Sequence, residues 1–503
     1  MLKIRYIQTS IWQVGLRNKI YKLVMIKTFI HTSENNNLYL YDEQHRLSML
    51  VHPVFKKAYE NLKDADSYYT KKYMYLKDCG FFAEPKLADF ITLEESIVKD
   101  NIINTKQIVF EVTDSCNLNC TYCGFGNLYE GYDDRSNKKI NTLYAINLMK
   151  YIFDRKPMYE NNKLIISFYG GEALLNMNFI KKIVEVANQL NVEKRFDLEY
   201  SMTTNATLIN KHINFLATNK FSLLISLDGN EENHSYRVFS KNKKNSFQKV
   251  IENIDMIQRD YPEYFANYVR FNAVLHNRNS VKSIYEFIFF RYHKIPRIAE
   301  LNIRDIKPDN KNMLEEIFHS KQKSEAEFQK EESNLLSITH GELSLYKELI
   351  DFLKYISINC YVSNINLLLH NVEKHLPTST CTPFSKKIFL TNRNKLLPCE
   401  KINYKYSMGK VNENIEIDIT EVTRQYNFYY KHFKKFCQSC YAYRFCGVCM
   451  FQTNSIDKIG SEEFVCENYY DQNTFKHKLH RLFSFLEKYP NDFSEILENI
   501  IIE

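Results

Sequence analysis

Three cysteines in one short segment constrain this chain more than any other feature. The segment "VTDSCNLNCTYCGFG" places Cys116, Cys120 and Cys123 at a C-x3-C-x2-C spacing. These three thiols cannot all form disulfides with one another, because one would always be left over. They can converge on one metal centre, since thiolate is the soft ligand that suits zinc and iron–sulfur clusters. The spacing predicts either a zinc knuckle with a fourth ligand elsewhere or an iron–sulfur site with three protein ligands.

The composition indicates a globular chain of more than one domain. It has 503 residues, of which 44% are hydrophobic, and a net charge of only +7 with acidic and basic residues interleaved. Such a charge pattern is typical of a solvated surface and gives no reason to expect a nucleic-acid partner. No segment is apolar enough to cross a membrane, and the N-terminal residues do not form a secretory signal. We therefore expect a cytoplasmic protein whose twelve cysteines stay reduced.

Between Lys106 and Lys307 short β-rich runs alternate with amphipathic helical segments, which predicts an α/β fold built from parallel βα units. In such folds the chemistry lies at the C-terminal ends of the strands, where the three-cysteine segment falls. The predicted strands are Gln107–Val112, Leu164–Tyr169, Phe196–Met202, Ser222–Leu227, Val269–Leu275 and Glu300–Ile306.

The flanking regions follow other patterns. Upstream, the sequence predicts two strands joined by a turn at Asp42–Gln44 and then two helices, forming a small α+β module with its own core that can be removed without unfolding the rest. The expected domains are the N-terminal module 1–100, a core 101–310, a helical connector 311–380, a cysteine-rich domain 381–470 and a helical tail 471–503.

Small and polar residues follow the predicted strands. Gly170, Gly171 and Glu172 come after the second strand, and the glycines predict a turn where backbone can approach a ligand closely. The segment "TTNAT" follows the third strand, and "SLDG" follows the fourth. A structural zinc site needs no such ring of polar groups, so this pattern disfavours the zinc knuckle.

These motifs together resemble those of the radical S-adenosylmethionine (SAM) enzymes, whose cysteine motif carries an aromatic residue, here Tyr122, before its third cysteine. The resemblance implies a partial (β/α)6 TIM-like barrel and a [4Fe–4S] cluster held by Cys116, Cys120 and Cys123. SAM would bind the open iron and be cleaved to a 5′-deoxyadenosyl radical. The residues implied to bind the cosubstrate are Tyr122, Gly170, Gly171, Glu172, Asn205, Ser226 and Arg237, while Asp228 has either such a role or a structural one. Where the family usually has T-N-G, this chain has Ala206 after Asn205.

A second group of cysteines lies near the C-terminus. Cys437, Cys440, Cys446 and Cys449 have C-x2-C-x5-C-x2-C spacing, and a zinc ribbon would need roughly 15–20 residues between the two pairs. The pattern resembles a SPASM domain, which carries auxiliary iron–sulfur clusters, although two rather than three residues precede its fourth cysteine. The resemblance implies two such clusters, one held by Cys437, Cys440, Cys446 and Cys466 and the other by Cys381, Cys399 and Cys449.

Two cysteines stand outside these groups. Cys360 is a candidate fourth ligand of the second auxiliary cluster, or else an ordinary buried thiol, which is a common structural residue. Cys79 has no motif around it and is interpreted as a packing residue.

The resemblance implies an oxidoreductase that modifies a peptide or protein. The N-terminal module resembles winged-helix elements that bind a precursor's leader segment as an added β-strand, although a structural cap on the barrel is the alternative. We predict a peptide maturase that installs a thioether or carbon–carbon crosslink, or a related oxidation, in a ribosomally made precursor. The expected reductant is a flavodoxin or ferredoxin, and no catalytic side chain is assigned. The alternatives are an anaerobic sulfatase maturase that forms formylglycine and a non-catalytic iron–sulfur regulator or scaffold.

Overall fold

A large, mostly parallel sheet organises the chain. The computed structural model describes residues 28–43, 45–62, 66–82, 88–133, 135–157, 163–193, 196–331, 344–352 and 376–490. Ten strands lie in the order β13-β12-β11-β10-β4-β5-β6-β7-β8-β9. Their bounds are β4 Gln107–Thr113, β5 Lys163–Gly170, β6 Asp197–Thr204, β7 Ser222–Ser226, β8 Val269–Leu275, β9 Arg297–Glu300, β10 Ile388–Leu390, β11 Lys395–Leu397, β12 Gly409–Val411 and β13 Ile415–Glu416.

Strands β4 to β9 are parallel and follow one another in sequence order. Five of them lie where the alternating pattern predicted. The sixth predicted strand, Glu300–Ile306, was wrong in position. The observed strand β9 ends at Glu300, and residues 301–306 turn back toward the three-cysteine segment. There Glu130 donates its amide to the Asp305 carbonyl at 2.7 Å, and Asp305 adopts a left-handed φ of 53°.

The helices that connect these strands bury one face each. On α5, Ile180 and Ile183 are fully buried, as are Ile254 and Ile257 on α7. The described helices are α1 Pro53–Glu60, α2 Ser67–Asp78, α3 Glu95–Ile103, α4 Thr142–Arg155, α5 Met177–Leu190, α6 Ile213–Thr218, α7 Phe247–Asp260, α8 Pro262–Tyr268, α9 Val281–Tyr292, α10 Lys311–Ile317, α11 Lys321–Glu331, α12 Ser344–Asp351, α13 Ile419–Cys437 and α14 Gln472–Lys488.

The C-terminal region extends the same sheet. Strand β10 pairs in parallel with β4, and β11 to β13 continue outward as antiparallel strands. Strand β4 is therefore an interior strand rather than the edge of the sheet. Each of these added strands has only two or three residues, too few for a period-2 pattern to reveal them in the sequence.

The N-terminal residues form a separate three-stranded antiparallel sheet, with β1 at Phe29–Thr32, β2 at Leu38–Asp42 and β3 at Leu47–Val51. One face packs on the C-terminal region: the Phe29 and Tyr41 rings contact Phe475 on α14, and Phe29 also contacts Tyr441. Glu43, in the turn after β2, pairs with Arg444 at 3.2 Å. The other side chains of the module form a separate hydrophobic cluster around Leu40, Val51 and Phe55. The module therefore has a core of its own as well as aromatic contacts with the C-terminal region, and its independence as a domain stays a prediction.

No helix that the structure describes combines the length and apolar character needed to cross a lipid bilayer.

Candidate functional site

The three clustered cysteines lie on a loop directly after β4, which we define as the Cys loop, residues 114–126. Their side chains are partly buried, and all eleven described cysteines of the chain are free thiols. Two tight turns shape the loop: Cys123 donates its amide to the Cys120 carbonyl at 3.1 Å, and Gly126 donates to the Cys123 carbonyl at 2.8 Å. The loop thus presents its thiols at the carboxyl end of the parallel sheet.

The thiols share one electrostatic environment. Burial raises the pKa of Cys120 to about 12, while the Arg237 guanidinium opposes that rise and the neighbouring thiols Cys116 and Cys123 add to it. Burial likewise raises the pKa of Cys116 to about 11, with a contribution from the Glu172 charge. Within the described ranges, no three His, Cys, Asp or Glu side chains are placed to hold a single metal ion. The donor set itself, three free thiols on one loop, fits an iron–sulfur cluster with one open iron.

The two glycines after β5 pack against this loop. A Cβ on Gly170, whose φ is +125°, would lie 2.4 Å from the Thr113 carbonyl oxygen, and one on Gly171 would lie 2.1 Å from the Ser115 carbonyl oxygen. The amides of Gly171 and Glu172 donate to these same two carbonyl oxygens, each at 2.8 Å. The sequence predicted a close backbone approach to a ligand at these glycines, and in the structure they approach the end of β4 and the start of the Cys loop.

Glu172 is a fully buried carboxylate that links the turn after β5 to the end of β6. Its Oε1 accepts from the Thr204 hydroxyl at 2.7 Å and from the Leu174 amide at 3.2 Å, and its Oε2 accepts from the Asn205 amide at 2.8 Å. Burial raises its pKa, although these donors oppose the shift. A desolvated carboxylate beside Cys116 is chemically suited to a cationic group such as an α-ammonium.

Asn205 links the end of β6 to the Cys loop. Its side-chain amide donates to the Asn117 side-chain oxygen at 2.9 Å and lies 3.8 Å from the Cys116 sulfur. The next residue, Ala206, has a left-handed φ of 63°, which explains why glycine suits this position. Ser226 is the last residue of β7 and lies partly buried at the same end of the sheet.

Asp228 is the centre of a buried network beneath the Cys loop. Its carboxylate accepts from Arg237 Nε at 2.9 Å and Nη2 at 3.0 Å, from the Val274 amide at 2.9 Å and from the Tyr122 hydroxyl. Burial alone would raise its pKa, but the Arg237 guanidinium holds that pKa well below the usual range. Asp228 therefore anchors Tyr122, and with it the middle of the Cys loop. Arg237 is already paired with a protein carboxylate, so its predicted contact with a cosubstrate requires this pair to open or a further guanidinium nitrogen to bind.

The compact C-terminal cysteines lie together at the end of α13. Burial raises the pKa of Cys437 well above its usual value, and the thiols of Cys440, Cys446 and Cys466 raise it further. The Tyr441 amide donates to the Tyr470 carbonyl at 3.0 Å and so ties the two cysteine segments together. The four residues predicted for one auxiliary cluster thus share one neighbourhood, and their role as ligands remains a prediction.

The other predicted auxiliary ligands lie near Tyr426 and Tyr430 on α13. Burial raises the pKa of Tyr426 well above its usual value, and the nearby thiols of Cys449, Cys381 and Cys399 add to that rise. Hydrogen bonds bring two of the segments together, because the Ser379 amide donates to the Val448 carbonyl and the Met450 amide donates to the Thr380 hydroxyl, both at 2.8 Å. Cys360, proposed as the fourth ligand, lies outside the described residues, and Cys79 is exposed rather than packed.

Sequence reasoning missed Glu111, a buried carboxylate on β4. Its Oε2 accepts the Asn392 amide at 3.0 Å, and burial raises its pKa to about 7. Asn392 lies in the turn between β10 and β11, so this contact joins the strand before the Cys loop to the C-terminal region. A single carboxylate within the apolar run "QIVFEV" was the signal that could have revealed it.

Comparison with known proteins identifies the central part of the chain. Residues 110–289 match the Radical SAM superfamily. These residues form a radical SAM domain. The matched segment contains the Cys loop, the glycine turn, Glu172 and Asp228.

The relatives of this radical SAM domain include protein-modifying enzymes. A cysteine-type anaerobic sulfatase-maturating enzyme of Clostridium novyi is 31% identical over 161 residues, which cover 31% of this chain and 41% of the relative. The radical SAM cyclopropyl synthase TigE of Paramaledivibacter caminithermalis is 28% identical over 177 residues, covering 34% of this chain and 35% of the relative. The matches thus span less than half the length of these relatives.

A solved structure shares the fold over a longer range. Native anSMEcpe with bound AdoMet and the Kp18Cys peptide superposes with a TM-score of 0.51 and 19% identity, covering 78% of this chain and 99% of that one. The likeness extends the shared fold beyond the radical SAM domain into the flanking regions.

Proposed function

We propose that this chain is a radical SAM peptide maturase that installs a crosslink, or a related oxidation, in a ribosomally made precursor. The observation that carries the proposal is the Cys loop, with Glu172 and the glycine turn packed against it at the carboxyl end of the sheet. The relatedness of the radical SAM domain to a cyclopropyl synthase and to sulfatase-maturating enzymes supports a peptide or protein as substrate.

Three thiolates, those of Cys116, Cys120 and Cys123, would hold the [4Fe–4S] cluster. When bound with SAM, the cluster supplies an electron that yields a 5′-deoxyadenosyl radical. In this proposal the Glu172 carboxylate accepts hydrogen bonds from the cosubstrate's ammonium group. The buried Asp228 network fixes the Cys loop, and Asn205 and Ser226 line the same end of the sheet.

The C-terminal thiols are proposed to hold two auxiliary clusters. Cys437 and Cys440 are buried and the other five thiols are partly buried, and thiolate is the ligand that suits iron–sulfur clusters. A crosslink forms with loss of two hydrogens, one to the radical and one as a proton, and the remaining electron needs an acceptor. The proposed ligand sets are Cys437, Cys440, Cys446 and Cys466 for one cluster, and Cys381, Cys399 and Cys449 for the other.

The N-terminal sheet is proposed to bind the precursor's leader. Among the described strands, β3 pairs only with β2, so its other edge can accept a further strand. Beside it, α2 buries none of its side chains, and Tyr68 and Tyr75 are 64% and 67% exposed. Leu50 on β3 is 64% exposed as well. An extended peptide could therefore gain backbone hydrogen bonds and apolar contacts at this place.

A second candidate is formylglycine formation in a sulfatase, and the similarity to sulfatase-maturating enzymes favours it equally. The two activities differ in product. A crosslinked peptide contains no aldehyde, whereas formylglycine reacts with a hydrazide reagent.

The first test uses full-length protein reconstituted anaerobically with iron and sulfide, then supplied with SAM and dithionite. We expect formation of 5′-deoxyadenosine, and, with the precursor present, a product lighter by two hydrogens per crosslink that does not react with hydrazide. Hydrazide-reactive product from a sulfatase peptide would favour the second candidate. A wild-type protein that never cleaves SAM would favour the non-catalytic alternative.

The leader proposal has a matched pair of variants. Leu50→Asp should raise the KM for a leader-bearing precursor at least tenfold and leave the turnover of a leaderless core peptide unchanged. Phe290→Asp is the control, since Phe290 is 71% exposed on α9, away from the N-terminal sheet. Equal KM values for the two variants would mean that the sheet is a structural cap.

A further inference from the structure

Two exposed segments pack against the outer side of the Cys loop. Residues 135–139 lie beside its start, where the Asp114 amide donates to the Lys138 carbonyl at 3.2 Å and Ser115 Oγ lies 3.1 Å from the Asn137 side-chain oxygen. Residues 238–245 form a short hairpin beside its middle. There Asn119 donates its amide to the Val238 carbonyl at 2.8 Å. These contacts hold both segments against the Cys loop.

Both segments are basic. They expose six cationic side chains, which we call the basic surface: Arg135, Lys138, Lys139, Lys241, Lys243 and Lys244. Arg135 donates from Nη2 to the Cys123 sulfur at 3.0 Å.

Few carboxylates neutralise this surface. In the described part of the chain, no carboxylate lies within ion-pair distance of these six side chains, whereas other exposed cations such as Lys163 and Arg291 do have carboxylate partners. Asp133 is engaged by Lys395 at 2.7 Å, and Asp114 is buried and accepts from the Ser136 amide. The exposed acidic residues Glu231 and Glu232 precede the hairpin in sequence, and the Glu231 carbonyl accepts from the Asn245 side chain at the end of the hairpin.

We propose that the basic surface is the docking site for an acidic electron-carrier protein, an inference that rests on the proposed function. In the docked complex, one electron leaves the reduced carrier and enters the centre held by the Cys loop, so the carrier is oxidised by one electron and the centre reduced by one. Electron transfer weakens steeply with distance, and this surface touches the loop that would hold the centre. Complementary charge also steers the encounter between the two proteins.

The test compares two triple variants of equal charge change. Lys241→Glu/Lys243→Glu/Lys244→Glu reverses the charge of the hairpin. The control, Lys106→Glu/Lys150→Glu/Lys220→Glu, reverses three exposed lysines, two just before the amino ends of β4 and β7 and one on α4. With reduced flavodoxin as the acidic probe, the hairpin variant should show a KM at least tenfold above that of the control variant. With excess dithionite, all three proteins should form 5′-deoxyadenosine at the same rate. Equal KM values for flavodoxin in the two variants would overturn the proposal.

Two further measurements separate the possible failures. In the wild-type protein, the flavodoxin-driven rate should fall as salt rises while the dithionite-driven rate stays constant, because exposed charges are screened over a Debye length of about 8 Å at 0.15 M. A flat salt response would refute the docking site even if a variant failed to fold.

If the hairpin variant instead raised only the KM for the precursor peptide, the surface would bind substrate, which also overturns the proposal. Absence of SAM cleavage with dithionite in the wild-type protein would refute the proposed function, while binding of flavodoxin, followed by calorimetry, would still test the surface.

Discussion

The chain carries cysteines in two regions whose surroundings differ. The Cys loop is held by side chains from neighbouring strands, above all by the buried Asp228 and Glu172, and it packs against a glycine turn. In the C-terminal region, backbone hydrogen bonds join the cysteine segments, Cys437 and Cys440 are only 7% and 6% exposed, and the other five thiols are partly buried. The same residue type therefore occupies one site lined by buried polar side chains and one in which two of the thiols are themselves buried.

The largest expected difference between the two regions concerns SAM cleavage. Cys120→Ala should lose one cluster's iron and lower 5′-deoxyadenosine formation at least a hundredfold. Cys440→Ala should lose a similar amount of iron, keep SAM cleavage and lose conversion of the precursor. Iron analysis and chromatography of the nucleoside measure both effects. Cleavage that survives in Cys120→Ala, or disappears in Cys440→Ala, would contradict the division of roles.

Asp228→Asn should disturb only the Cys loop. It leaves the buried Arg237 without its partner, a loss that typically costs about 3–5 kcal/mol. We expect a lower Tm and reduced iron at the Cys loop, with the iron of the C-terminal region retained. The control is Asp260→Asn, since Asp260 forms a similar two-bonded pair with Arg259 at an exposed position. Comparable Tm losses in the two variants would show that Asp228 is not the anchor of the loop.

Glu111 connects the two cysteine regions, because it lies on the strand before the Cys loop and accepts a hydrogen bond from the C-terminal region. Its pKa in the folded protein is about 7, above the ordinary 4.5, so between these values the folded state holds a proton that the unfolded state has lost. The stability that the protein has at low pH is therefore reduced as the pH rises from 4.5 to 7, by about 3–4 kcal/mol at roughly 1.4 kcal/mol per pKa unit. Glu111→Gln should remove this dependence and make the variant more stable than the wild type at pH 8. Parallel Tm profiles of the two proteins from pH 5 to pH 8 would contradict the assignment.

The smallest effect is expected at Ala206, next to the Cys loop. Relief of the left-handed backbone, worth about 1–2 kcal/mol, is offset by the loss of a buried methyl group worth about 0.8 kcal/mol and by the added freedom of glycine. Ala206→Gly should therefore change the free energy of unfolding by no more than about 0.5 kcal/mol, as measured by denaturant titration. A much larger loss would mean that packing of the methyl group fixes the rim of the site.

The fold of the radical SAM domain was largely predictable, because six βα units leave a strong alternation and the cysteine spacing is specific. The packing of the N-terminal sheet on α14 was not, since contacts such as Tyr41 with Phe475 join positions far apart in the sequence. At the site, the structure brings several of the predicted residues together around the Cys loop, but the sequence did not reveal their partners. Nothing in the local pattern indicated that Arg237 would pair with Asp228 or that the glycine turn would pack against the Cys loop.

The pairing of β10 with β4 has a consequence for the synthesis of the protein. The amide of Asn392 reaches Glu111 across 281 positions of the chain, so the ribosome adds the outer neighbour of β4 long after β4 itself. At about 5–20 residues per second, that edge stays unpaired for something on the order of tens of seconds. During this interval the nascent chain presents an apolar strand edge next to its reactive thiols, the kind of surface that aggregates. Chaperones that retain the nascent chain until the C-terminal region emerges would protect the strand edge. Insertion of the clusters only after that point would protect the thiols.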